Sequence, residues 1–79
     1  ELSDDFRVYP NPAQNELTID ARIEDYSVAY IYSFNGALIR TINLTSEKTT
    51  IDINELSAGM YLIKVELGDE ILVQKFIKE

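Results

Sequence analysis

Short runs that alternate apolar and polar residues, each stopped by turn-forming residues, cover most of this chain, and no stretch sustains a helical period. Phe6-Arg7-Val8-Tyr9 is the first such run, and Pro10-Asn11-Pro12 ends it. Each proline lacks an N–H, fixes φ and pushes the residue before it out of the helical region. A chain passing through that triplet has to leave a sheet edge or cross between sheets. Leu17-Thr18-Ile19-Asp20 alternates next, and residues 22–27 are charged and read as a loop. Residues 28–34 are β-branched and aromatic and stop at Asn35-Gly36. That dipeptide predicts a two-residue type I′ hairpin turn, which needs positive φ at both central positions, with residues 37–44 as the return strand.

Residues 45–48 are polar loop, and residues 49–53 put Ile51 and Ile53 on one face. After a turn over residues 55–59, residues 60–67 alternate with Tyr61, Ile63, Val65 and Leu67 inward and Lys64 and Glu66 outward. Gly68-Asp69-Glu70 forms a tight turn, and residues 71–78 close the chain. About seven short strands at these intervals predict an all-β fold, an Ig-like or fibronectin-like antiparallel sandwich. One strand resists assignment. In residues 28–34 one register buries Val28, Tyr30, Tyr32 and Phe34, and the other buries Ala29 and Ile31. A strand apolar on both faces either sits centrally or carries a surface meant for a partner.

Leu56-Ser57-Ala58-Gly59-Met60-Tyr61 suits a tyrosine corner, in which a tyrosine at the start of a strand turns its hydroxyl back to a backbone group upstream. Leu56 is expected to plug the core, Gly59 to take a conformation that a Cβ hinders, and Tyr61 to tie the arch.

Composition then narrows the function. At 79 residues the chain holds one small domain with a thin stability margin, and it has no cysteine or histidine to reinforce it. A formal net charge of −7 leaves no footprint for nucleic acid or anionic lipid, so neither is expected as a partner. No window approaches the roughly 20 apolar residues of a membrane helix, so direct membrane insertion is not expected. The sequence starts at Glu1 without an initiator Met or a signal-like segment, and is read as a piece of a longer polypeptide. Without His or Cys the usual nucleophilic arrangements cannot form. The carboxylate pairs Asp4-Asp5, Glu24-Asp25 and Asp69-Glu70 sit in predicted loops or at the terminus, where solvation is their ordinary state. No enzymatic activity and no cofactor or metal is expected. Asn43-Leu44-Thr45 is a formal glycosylation sequon, a triplet common by chance. Tyr26, Tyr30, Tyr32 and Phe34 could stack on sugar rings, though such residues more often pack across strands.

Several landmarks occur in order: Val8-Tyr9-Pro10-Asn11-Pro12-Ala13, Leu17-Thr18-Ile19, Ile31-Tyr32-Ser33-Phe34-Asn35-Gly36, Ile51-Asp52-Ile53, Leu56, Gly59, Tyr61 to Val65, and Lys75-Phe76-Ile77-Lys78. Together, over residues 6–78, they resemble the C-terminal sorting domain of the type IX secretion system, found on exported proteins of the Bacteroidota. The chain departs from that pattern at Ser33, at Met60, and in running past Lys78 to Glu79. The resemblance implies a monomeric Ig-type sandwich fused behind a cargo protein. It directs the cargo from the periplasm across the outer membrane to the cell surface, and a sortase-like peptidase then removes it. On this reading residues 1–5 end the linker to the cargo and residues 6–79 are the domain. Lys75, Phe76, Ile77 and Lys78 are then the segment that the export machinery recognises. Two lysines at the end of an acidic chain fit that role, offering a positive patch and the backbone bonds of a terminal strand, or else they blunt the strand against aggregation. The other reading is an accessory carbohydrate-binding or fibronectin-like spacer module of a secreted hydrolase.

Overall fold

A computed structural model describes residues 6–22 and 27–79. Its strands are β1 (Phe6–Tyr9), β2 (Glu16–Ala21), β3 (Ser27–Ser33), β4 (Leu38–Asn43), β5 (Lys48–Asp52), β6 (Gly59–Leu67) and β7 (Glu70–Lys78). They form two antiparallel sheets, β1-β2-β5 and β4-β3-β6-β7, and no described residue is helical. The expected all-β sandwich is the fold observed. The pairs Asp4-Asp5 and Glu24-Asp25, the ring of Tyr26 and the expected linker over residues 1–5 lie outside the described residues.

One buried cluster joins the sheets. Phe6, Leu17 and Ile19 enter it from the three-stranded sheet, and Ile31, Ile63, Val65 and Phe76 from the four-stranded one. Alternation does the sorting: along β6, Tyr61, Ile63, Val65 and Leu67 are buried while Leu62 and Lys64 point away. The two readings of β3 resolve the same way. Ala29 and Ile31 are fully buried against the core, and Val28, Tyr30 and Tyr32 lie on the opposite face. The strand is central, between β4 and β6.

The turn after β3 differs from the expected type I′ hairpin. Gly36 N–H donates to Ser33 O at 2.9 Å, and Ser33 N–H donates to Ala37 O at 2.8 Å. Gly36 has φ +93°, and among the described residues none other than glycine has positive φ. The loop is therefore three residues long, a turn centred on Phe34 and Asn35 followed by a left-handed glycine. Only its third position needs positive φ, so Asn35 keeps an ordinary conformation. The Ser33 hydroxyl donates to Asn35 Oδ1 and accepts from Ala37 N–H at 3.2 Å, which gives this departure from the family pattern a role in the turn. Register then slips by one, with Ile31 opposite Arg40 and Tyr32 opposite Leu38, so Ile39 forms a bulge. Between β6 and β7 the loop has two residues, with φ +61° at Gly68 alone, as a type II′ turn requires.

Candidate functional site

β7 ends the chain and lies at one edge of the four-stranded sheet, paired with β6 from Gly59 opposite Lys78 to Leu67 opposite Glu70. Its period of two divides the terminal segment. Lys75 and Ile77 face outward and are exposed, Phe76 is fully buried, and Lys78 is turned inward at 9% exposure. Phe76 stacks on Tyr61, with ring centroids 5.4 Å apart and planes at 18°. The Tyr61 hydroxyl in turn donates to Ser57 O at 2.6 Å, the back-reaching bond of a tyrosine corner. Leu56 is partly buried against the same core. Gly59 has φ +150° with no heavy atom near where a Cβ would stand, so backbone conformation rather than crowding requires the glycine.

The other edge of β7 meets the proline triplet. Pro10 and Pro12 have no N–H and cannot extend a ladder, and the Asn11 side chain takes over that work. Its Oδ1 accepts from Ile77 N–H at 2.9 Å and its Nδ2 donates to Lys75 O at 3.4 Å. Ala13, fully buried, continues the line in parallel: its N–H donates to Ile77 O and its carbonyl accepts from Glu79 N–H, both at 2.8 Å. Two motifs far apart in sequence thus form one unit, a primary amide standing in for a strand.

This arrangement changes what the terminal segment can offer a partner. The Lys75 carbonyl, both main-chain groups of Ile77 and the Glu79 N–H are already bonded to Asn11 and Ala13, so they are not free for a receptor strand. The expected two-lysine patch reduces to Lys75. The Lys78 stem is buried, with its ammonium donating to the main-chain oxygen of Glu79 at 2.9 Å. Beside it, Pro10, Pro12, Gln14, Asn15, Glu16 and Glu79 line an open groove of about 460 Å³. All six are exposed, so it lacks the buried polar groups that orient a small ligand.

The outer face of the four-stranded sheet is the larger feature, and sequence reasoning named only part of it. On the same face as Tyr30 and Tyr32 of β3 and Lys64 of β6, strands β6 and β7 present Met60, Leu62, Ile71, Val73 and Ile77, which are 37–59% exposed. Lys64 Nζ lies 5.1 Å from the Tyr30 ring centroid and 5.6 Å from that of Tyr32, within cation–π range. It also approaches Glu66 at 4.0 Å, and the Tyr30 hydroxyl donates to the same carboxylate at 3.4 Å. The rings are tilted by 39° and capped by an ammonium, so they make no flat platform for a sugar. The signal that reveals this face is Ile71-Leu72-Val73, a run apolar on both sides of its strand.

A family model described as the secretion system C-terminal sorting domain matches residues 7–79. No curated protein matches the sequence. Among solved structures the chain is similar to one reported for PorZ, an essential bacterial surface component of the type-IX secretion system of Porphyromonas gingivalis. The TM-score is 0.74 at 20% identity, over 96% of this chain and 12% of that one. The likeness is one of fold, and this chain spans only a small part of that protein's length.

Proposed function

This chain belongs to the secretion system C-terminal sorting domain family, and on that footing we propose that it sends an upstream cargo across the outer membrane through the type IX machinery. In this reading residues 1–5 end the linker to the cargo, and a sortase-like peptidase cuts there or just upstream once the cargo reaches the cell surface. The domain passes through the periplasm as a folded monomer and works by being recognised, not by catalysis. The observation that carries the reading is the family match over residues 7–79, which takes in both the Pro10–Ala13 stretch and the strand it holds. The export machinery then meets a rigid surface with Lys75 and Ile77 outward and Phe76 and Lys78 behind them.

The test is a periplasmic reporter fused to residues 1–79 in a secretion-competent host. The fusion should reach the cell surface, and one lacking residues 74–79 should stay in the periplasm. Retention of the full fusion in the periplasm would defeat the proposal. The truncation removes Phe76 from the core, so its circular dichroism has to be recorded beside its delivery.

A further inference from the structure

We infer that the outer face of the four-stranded sheet docks a folded protein whose contact surface is apolar at its centre and places a carboxylate against Lys75. The inference rests on the sorting reading above and names the surface that would be read.

A sheet face turned to water normally carries polar residues at its outward positions. Here Leu62, Ile71, Val73 and Ile77 hold those positions on adjacent strands, at 37–59% exposure. With strands about 4.8 Å apart and nine-residue strands about 30 Å long, the face measures roughly 19 by 30 Å. The whole face is of the order of one side of a specific protein interface, and its exposed apolar residues on β6 and β7 lie together on adjacent strands, the kind of patch that marks an interaction site.

Charge selects the kind of partner. The chain carries a net charge of −7, yet among the described residues this face presents two lysines, Lys64 and Lys75, and one carboxylate, Glu66. Lys64 is occupied by Glu66 and by two tyrosine rings. Lys75 is exposed and has no ion-pair partner among the described residues. A lone ammonium amid apolar side chains on an acidic domain complements a carboxylate on a protein surface. An anionic bilayer meets the repulsion of the whole domain, and so does a second copy, which would also set this face's lysines against their own kind. Rigidity favours the same use: Lys75 and Ile77 stand on a strand pinned from its far edge by Asn11, so little ordering is left for docking.

The experiment uses the reporter fusion with single substitutions and separate measurement of the purified domains. Val73→Glu and Lys75→Glu should each lower the surface-delivered fraction by about tenfold or more, the effect of losing one strong contact. Thr50→Glu, which adds the same charge to the outer face of the other sheet, should leave delivery unchanged. Thermal melts establish that the variants fold, and Lys75→Glu, at an exposed position with no ion-pair partner among the described residues, keeps the test open if Val73→Glu does not. Normal delivery of folded Val73→Glu and Lys75→Glu, beside a wild-type fusion that reaches the surface, overturns the inference and leaves the sorting reading standing. A wild-type fusion that never reaches the surface defeats the sorting reading itself. A dimer in sedimentation that Val73→Glu dissolves, or binding to phosphatidylglycerol vesicles, would hand the face to a second copy or to lipid and also overturn it.

Discussion

The outward sides of the two sheets were built to different rules. On the three-stranded sheet, Arg7 pairs with Asp20 at 2.9 Å, the Thr18 and Thr50 hydroxyls share a 2.9 Å hydrogen bond, and Tyr9 lies under the Arg7 guanidinium at 5.8 Å. The first two pairs are cross-strand and the third runs along β1, all of them at the surface, the pattern expected where only water is met. On the four-stranded sheet the same positions hold Met60, Leu62, Ile71, Val73 and Ile77. Both sheets deliver the same kind of side chain to the core, so core packing does not explain the contrast. The difference shows that inward positions answer to the fold and outward ones to whatever the surface must meet.

That comparison can be pressed hardest at the shared core. Phe76→Ala opens a cavity beside Tyr61 and should cost about 3–5 kcal/mol, a large part of a small domain's stability. Urea unfolding followed by tyrosine fluorescence should show both sheets melting in one shifted transition; loss of β7 alone would mean that the sheets are not one cooperative unit. Tyr61→Phe removes the donor to Ser57 O and should cost about 1–2 kcal/mol, seen as a lower urea midpoint with unchanged slope; an unmoved midpoint would leave the corner without energetic weight. Asn11→Ala should cost about 1 kcal/mol, because water can replace part of an exposed amide. Its sharper mark is local: hydrogen exchange at the Ile77 amide should speed up before that of Ile63 in the sheet centre. Least of all, Val73→Thr on the apolar outer face should move stability by no more than about 0.5 kcal/mol. A larger loss would make that face structural and erase the contrast between the sheets.

Much of the architecture was readable from residue order. Tyr61, Ile63, Val65 and Leu67 show their facing by alternation alone, since a strand's period of two leaves no other choice once one side is apolar. The stop at Pro10 and Pro12 follows from missing N–H groups, and the arch before Tyr61 from a leucine, a glycine and a tyrosine at suitable spacing. The length of the turn at Asn35-Gly36 was not readable, because a glycine with positive φ serves two-residue and three-residue loops alike. Tyr30 and Tyr32 were equally mute. In a strand apolar on both sides, facing depends on which neighbours arrive, here Lys64 and Glu66 on one side and the core on the other. The candidate site was half legible: residues 75–78 stood out by composition and resemblance, but Phe76 and Lys78 turn inward, and the broad face that Lys75 joins carries no motif.

By itself the amino-acid order determined the strands, the inward faces of those apolar on one side only, and the family, because these rest on local stereochemistry and on a pattern that repeats every second residue. Only the tertiary structure decided that Asn11 would hold Ile77, 66 residues further on, and that β3, β6 and β7 would bring their outward tyrosine and apolar side chains onto one surface. Both depend on which edges and faces end up side by side in space. Hydrogen bonds and solvent exposure are set by distance in space, and distance along the chain does not encode it.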